Sequence, residues 1–266
     1  MAKKEKDKEL TRRQFLRFGI ATAIGVGAVG AGITYLSTKD TTNGENMLRP
    51  PGAIANDDFM YACIKCGLCV QICPIDAIKL ADVTQGLSYG TPYLNVREQA
   101  CDFSCGAMQC VETCPTAALD FIQFKRVGEA ANAKYEQEHP NDLDYNIIAV
   151  QLPAMHAQTH MGTAVLNTDT CLAAQGKGFK GAPRDANFKG VYASPEDAKK
   201  GLAPYPVNEH QFDRPICDIC VTECPIGETA IIVENKIPKV LDGCTGCGVC
   251  AMICPTEGPS ITIKKA

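Results

Sequence analysis

Residues 63–74 read CIKCGLCVQICP: cysteines at 63, 66, 69 and 73, closed by Pro74. Residues 244–255, CTGCGVCAMICP, repeat the pattern with Cys244, Cys247, Cys250, Cys254 and Pro255. Both are C-x2-C-x2-C-x3-C-P. Two looser versions lie between them. CDFSCGAMQCVETCP holds Cys101, Cys105, Cys110 and Cys114, and CDICVTECP holds Cys217, Cys220 and Cys224 before Pro225. Fifteen of the 16 cysteines belong to these four clusters, and Cys171 stands alone.

The spacing points to [4Fe–4S] chemistry of the bacterial ferredoxin type. Three thiolates within seven residues can curl round one corner of a cubane, while backbone N–H groups point at its sulfides. The fourth cysteine, followed by proline, points away to a neighbouring cluster. Proline has no N–H to donate and favours a turn there. Similar tails follow each Cys-Pro, namely IDAIKL, TAALDF, IGETAIIV and TEGPSITI. They read as a helical turn and then a strand, the half-unit of a ferredoxin domain repeated four times. The expected fold class is α+β: two tandem bacterial-ferredoxin-like modules with four [4Fe–4S] motifs and long loop insertions.

Zinc and disulfides are the rival readings. Zinc sites pair two C-x2-C knuckles, or a knuckle with histidine, and do not require the full ferredoxin run. Thiols two residues apart, in threes and fours, make a poor disulfide framework for a chain of 266 residues. Cysteine at about 6% of the chain is too frequent for incidental core packing.

Residues 1–40 hold eight Lys/Arg against four Asp/Glu, a net +4; the totals of 26 and 30 leave 18 and 26 for the remainder, a net −8. So acidic a body is a poor nucleic-acid binder. Thr11-Arg12-Arg13-Gln14-Phe15-Leu16-Arg17 followed by a Gly/Ala-rich apolar run resembles a twin-arginine export signal. An ordinary membrane anchor with positive flanks is the alternative. Phe18 to Leu36 spans roughly 28 Å as a helix, enough to cross a bilayer, and no small-x-small cleavage site follows in ITYLSTKD. Residues 1–40 are therefore expected to be a signal and an anchor if uncleaved, with cleavage left open. A route that carries folded, cofactor-loaded protein suits clusters assembled in a reducing compartment. The expected location is the periplasm, or the outer face of the cytoplasmic membrane.

Four cubanes need 16 thiolates and the chain has 16, so counting makes Cys171 the fourth ligand that the third motif lacks. A stray thiol is the rival reading. At this point the chain resembles the NapG/MauM ferredoxin-type family, exported iron–sulfur proteins of the periplasmic nitrate reductase system and related pathways. The resemblance rests on the signal, CIKCGLCVQICP, CDFSCGAMQCVETCP, and MGTAVLNTDTCLAAQG leading to CDICVTECP. In the family a Cys-Leu-x-x-Gln-Gly segment runs almost directly into the Cys-Asp-x-Cys motif. Here Cys171, Leu172, Gln175 and Gly176 match, but residues 177–216 intervene. Most of that stretch reads as an insertion and a surface excursion, with Cys171 the displaced first ligand.

The expected organisation is residues 41–125 as one module with motifs one and two, 126–170 as a connecting segment, and 171–266 as a second module with motifs three and four. Exchanged last cysteines would then group Cys63, Cys66, Cys69 with Cys114; Cys101, Cys105, Cys110 with Cys73; Cys171, Cys217, Cys220 with Cys254; and Cys244, Cys247, Cys250 with Cys224. Pairing motif one with four and two with three remains open. His156 and His160, four apart, are a weak metal-site candidate, and residues 134–146 read as a solvated loop. No P-loop, dinucleotide fingerprint or nucleophile elbow is present, so no catalytic residue is assigned. The resemblance implies an electron carrier, not an enzyme, fed by a membrane quinol dehydrogenase and drained by a periplasmic reductase or cytochrome. The alternatives are an electron-transfer subunit of a molybdopterin oxidoreductase and a zinc-stapled assembly protein.

Overall fold

The computed structural model describes residues 47–265. The export signal and anchor expected over residues 1–40 lie outside the described residues. Among the described residues no helix is long and apolar enough to cross a membrane.

The first half opens with α1 (Asn56–Ala62), then α2 (Leu68–Gln71), β1 (Ile78–Leu80), β2 (Pro92–Leu94) and α3 (Gln109–Glu112). β1 and β2 pair antiparallel with Ile78 opposite Leu94, and single bridges join Leu48 to Leu94 and Ala53 to Leu119. Asp82 and Gln85 form a reciprocal capping box at the 3-10 turn Val83–Ser88 between the strands.

Helix α4 (Phe121–Glu138) starts where Asp120 accepts a hydrogen bond from the Ile122 N–H at 2.9 Å. It packs against α5 (Ile147–Gln158), capped by Asn146. A Cβ at Gly128 would overlap Met155, so this glycine lets the two helices close on each other. Residues 126–170, expected as a connection, therefore hold a helical hairpin and then β3 (Gly162–Leu166). Residues 134–138 of the expected solvated loop are the last turn of α4, and Lys134 there is exposed.

The inserted stretch is ordered. It contains β4 (Phe179–Gly181), β5 (Val191–Tyr192), α6 (Pro195–Lys199, capped by Ser194), β6 (Tyr205–Pro206) and β7 (Phe212–Arg214). β4 pairs with β7 and β5 with β6, as two separate two-stranded sheets, so the ends of the stretch return to one place. Tyr192 and Val207 are fully buried. Gln99 of the first half donates to the Val191 carbonyl at 2.8 Å and accepts from the Val191 N–H at 2.9 Å. Asp102 accepts from the Ala193 N–H at 2.9 Å, and the Tyr192 hydroxyl donates to Glu223 at 3.0 Å. Far from a loose surface excursion, the insertion wedges between the halves.

The second half contains α7 (Ile219–Thr222), β8 (Ile231–Glu234), β9 (Ile237–Val240), α8 (Val249–Ile253) and β10 (Ile261–Lys265). β8 and β9 form a hairpin whose two turn residues, Asn235 and Lys236, both have positive φ, as tight two-residue hairpins require. β10 pairs with β3 over five residues, so the strand pairing of this half begins at Gly162, ahead of Cys171.

Strands follow the Cys-Pro pairs at 78–80, 231–234 and 261–265, as the tails suggest. After Cys114-Pro115 there is only the Leu119 bridge, because Asp120 starts a helix there. The short helices α2, α3, α7 and α8 precede the Cys-Pro pairs. Gly67 and Gly248 hold left-handed φ values of 75° and 87° ahead of α2 and α8, turning the cysteine loop into the helix at little steric cost.

Candidate iron–sulfur centres

The short helices act as spacers. Cys69 lies in α2 and Cys73 just beyond it, and Cys110 lies in α3 with Cys114 just beyond it. Cys220 with Cys224 and Cys250 with Cys254 repeat the arrangement on α7 and α8. Each helix thus carries one cysteine to one cavity and the next cysteine to a neighbouring cavity.

Four cavities result, each lined by four cysteines. The first holds Cys63, Cys66, Cys69 and Cys114; the second Cys73, Cys101, Cys105 and Cys110. The third holds Cys224, Cys244, Cys247 and Cys250, and the fourth Cys171, Cys217, Cys220 and Cys254. All 16 cysteines are accounted for, in the groups of the one-with-two and three-with-four pairing. The four cavities are similar in size. Apolar residues complete the walls, for example Leu166, Leu172, Ile219 and Ile261 around the fourth.

The cavities form a row. Helices α2 and α3 join the first to the second, and α7 and α8 join the third to the fourth. Between the second and third, the Cys101 N–H donates to the Cys247 carbonyl at 3.1 Å. Cys66, in the first cavity, is exposed; Cys171 and Cys254, in the fourth, are buried.

Burial, with Cys63, Cys66 and Cys114 of the same cavity adding to it, pushes the Cys69 thiol up to about 11. Burial pushes Cys247 up to about 12, with Cys224 and Cys244 adding to it. Cys101, Cys110, Cys220 and Cys250 are raised by the same combination of burial and neighbouring thiols. Four thiolates in one apolar cavity thus need a cationic guest, and its binding must release protons. At Cys114 burial also acts upward, but hydrogen bonds from Leu119, Thr116 and Ala118 outweigh it and lower the thiol pKa.

Several donors are aimed at sulfur. The Ala77 N–H reaches Cys73 Sγ at 3.4 Å, Leu119 N–H reaches Cys114 Sγ at 3.5 Å, and Ala164 N–H reaches Cys244 Sγ at 3.5 Å. The hydroxyls of Thr116 and Thr256 lie 3.8 and 3.1 Å from Cys114 and Cys254 Sγ. Both threonines stand in Cys-Pro-Thr, a repeat visible in the sequence but not assigned from it.

The donor set fits an iron–sulfur cluster. Among the described residues, no three His, Cys, Asp or Glu side chains meet closely enough to chelate a single ion. The thiols instead surround a space, with sulfur-directed N–H groups at its edge. His156 stacks on Phe103 with ring centroids 4.6 Å apart, and its buried Nε2 has no hydrogen-bond partner. His160 lies past the end of α5 and is exposed. The two histidines are not brought together on a helix face.

Residues 62–118 match a 4Fe-4S dicluster domain, and residues 241–257 match a 4Fe-4S binding domain. The chain is 32% identical to the ferredoxin-type protein NapG of Escherichia coli (strain K12), over 95% of this chain and 84% of that protein. It is 30% identical to the methylamine utilization ferredoxin-type protein MauM of Methylorubrum extorquens, over 94% and 86%. NapG of Haemophilus influenzae is 28% identical, over 95% and 71%. No solved structure matches the chain.

Proposed function

Because the chain belongs to the NapG/MauM ferredoxin-type family, we propose that it is a periplasmic electron carrier with four [4Fe–4S] clusters on its 16 cysteines. It is an electron-transfer component and not an enzyme. When bound, the clusters would each take up and release one electron without bond making or breaking. The observation that carries the reading is that each of the four cavities is lined by four cysteines.

The chain's own groups supply spacing, insulation and charge. Helices α2, α3, α7 and α8 set the cysteines of neighbouring sites four residues, about one turn, apart. The Cys101–Cys247 hydrogen bond keeps the halves in register between the second and third sites. Apolar walls keep water from the thiolates, and N–H groups aimed at sulfur stabilise negative charge there. At the open end, exposed Ile64 and Leu68 flank exposed Cys66, offering a face for electron exchange.

In this reading electrons come from a membrane quinol dehydrogenase and leave to a periplasmic reductase or cytochrome. The twin-arginine heptad around Arg12 and Arg13 supports export of the folded, loaded protein.

The deciding experiment is iron and acid-labile sulfide per chain, on protein purified without oxygen. About 16 of each is expected for four cubanes; about 12 would leave only three, and zinc instead of iron would overturn the reading. Location is tested separately by replacing Arg12 and Arg13 with lysine and fractionating cells. Loaded protein should then be retained in the cytoplasm, and unchanged export would overturn the assigned route.

A further inference from the structure

Two arginines from outside the second half converge on its last motif. Arg97, on the segment leading to Cys101, donates through Nη1 to the carbonyls of Ala251 at 2.6 Å and Cys254 at 2.9 Å. Its Nη2 donates to the Thr256 carbonyl at 2.8 Å. Longer contacts at 3.5 Å reach Met252 and Glu257. Arg184, in the insertion, donates to the Met252 carbonyl at 3.3 Å and lies over the Phe188 ring at 4.1 Å. The carbonyls they hold lie in the last turn of α8, where they are left free, and on the segment just beyond it. Among the described residues, neither guanidinium has a carboxylate within ion-pairing distance.

Two half-buried cations side by side repel each other. Burial is the main influence on each guanidinium and lowers its pKa; Cys254 acts the other way on Arg97, and Asp185 and then Cys254 do so on Arg184. Arg97 holds the carbonyl of Cys254, whose cavity also takes Cys171, Cys217 and Cys220, so this pair of cations stands beside the fourth site. Added positive charge at a cluster favours its reduced form, and net charge is one of the levers on cluster potential.

Building on the four-cluster reading, we propose that Arg97 and Arg184 are positioning residues that raise the reduction potential at the fourth site above the other three, so electrons collect at the Cys171–Cys254 end of the row. The electron that arrives there is one given up by the neighbouring third site, with no proton moved. Arg49 near the first site is a weaker counterpart. It is buried and lies close to Cys63, but it reaches Thr91, Pro92 and, on the helix leading to Cys63, Asn56 and Met60, and not the backbone carbonyl of a cysteine.

The test is a potentiometric titration of the full loaded chain followed by electron paramagnetic resonance, with iron and sulfide counted in the same samples. Arg97→Gln removes the charge and should lower the highest midpoint alone. The ratio of reduced to oxidised cluster at the wild-type midpoint should fall about tenfold, equivalent to ~59 mV for one electron. Arg97→Lys should restore most of the shift, which a purely structural role would not produce. If Arg97→Gln does not retain its iron, Arg184→Gln, which gives up a single hydrogen bond, carries the test with a smaller shift in the same direction. A fully loaded variant whose highest midpoint stays put, or whose midpoints all move together, overturns the proposal. Wild-type protein with well under 16 iron overturns the four-cluster reading itself.

Discussion

Replacing Cys171 by serine tests whether one residue closes the fourth site. Cys171 is 6% exposed and shares its cavity with Cys217, Cys220 and Cys254. Its carbonyl accepts the Gln175 N–H, and the Cys217 N–H donates to Lys177. The two cysteines thus stand at the adjoining ends of a 217 − 171 = 46-residue loop. A cluster held by both acts as a cross-link. The loop-entropy relation gives about 4 kcal/mol for a disordered loop of that length. Pairing of Phe179–Gly181 with Phe212–Arg214 already closes most of it, so the measured loss should be nearer 1–3 kcal/mol by the same relation. Iron should fall from about 16 to about 12 per chain, or to about 15 where three thiols retain an iron-deficient core. Iron analysis and the urea midpoint of anaerobic protein read both quantities. A variant that keeps all its iron, with every cluster signal unchanged, would refute the assignment of Cys171.

Tyr192→Phe removes the donor to buried Glu223 and should cost about 1–3 kcal/mol. Tyr192→Ala also empties a fully buried aromatic site, costs about 3–5 kcal/mol, and should expose residues 177–216 to protease; resistance to cleavage would show the insertion is held by other contacts. Burial pulls His156 down to about 4 from its usual 6.5, so the folded protein binds fewer protons there than the unfolded chain. Its stabilising effect is complete above pH 6.5 and is lost as pH falls towards 4, by about 2 kcal/mol at pH 5. His156→Phe should remove that part of the pH dependence of the urea midpoint; an unaltered profile would exclude His156 as its source. At Gly248, φ is +87° and a Cβ would overlap Val96 of the first half. Gly248→Ala should therefore lower stability by about 2–4 kcal/mol through strain and overpacking, and an unchanged thermal midpoint would mean the junction yields freely.

The cysteine runs were legible because cluster chemistry fixes ligand spacing within a dozen residues. Cys171 was legible by arithmetic and by the Cys-Leu-x-x-Gln-Gly resemblance and not by spacing, since its partner Cys217 is 46 residues away. The packed insertion was not legible. Its strands are two or three residues long, too short to show alternation, and its anchors, Gln99 to Val191 and Asp102 to Ala193, join distant positions. Helix α4 buries only Phe124 and Gly128 along 18 residues, leaving almost no apolar stripe to read. Arg97 had no signal at all, because its partners are backbone carbonyls more than 150 residues on.

The shared spacer helices also dictate where this chain can lengthen. An extra residue between Cys69 and Cys73, or between Cys250 and Cys254, would rotate one thiol by about 100° on its helix and spoil two neighbouring sites together. Cys171 and Cys217 face a single cavity, and their flanking backbone is already tied together at Lys177. Dozens of residues can be looped out there while every site-to-site distance stays as it was. Length added inside a spacer helix disturbs two sites at once, whereas length added between Cys171 and Cys217 leaves the ligands of the fourth site together.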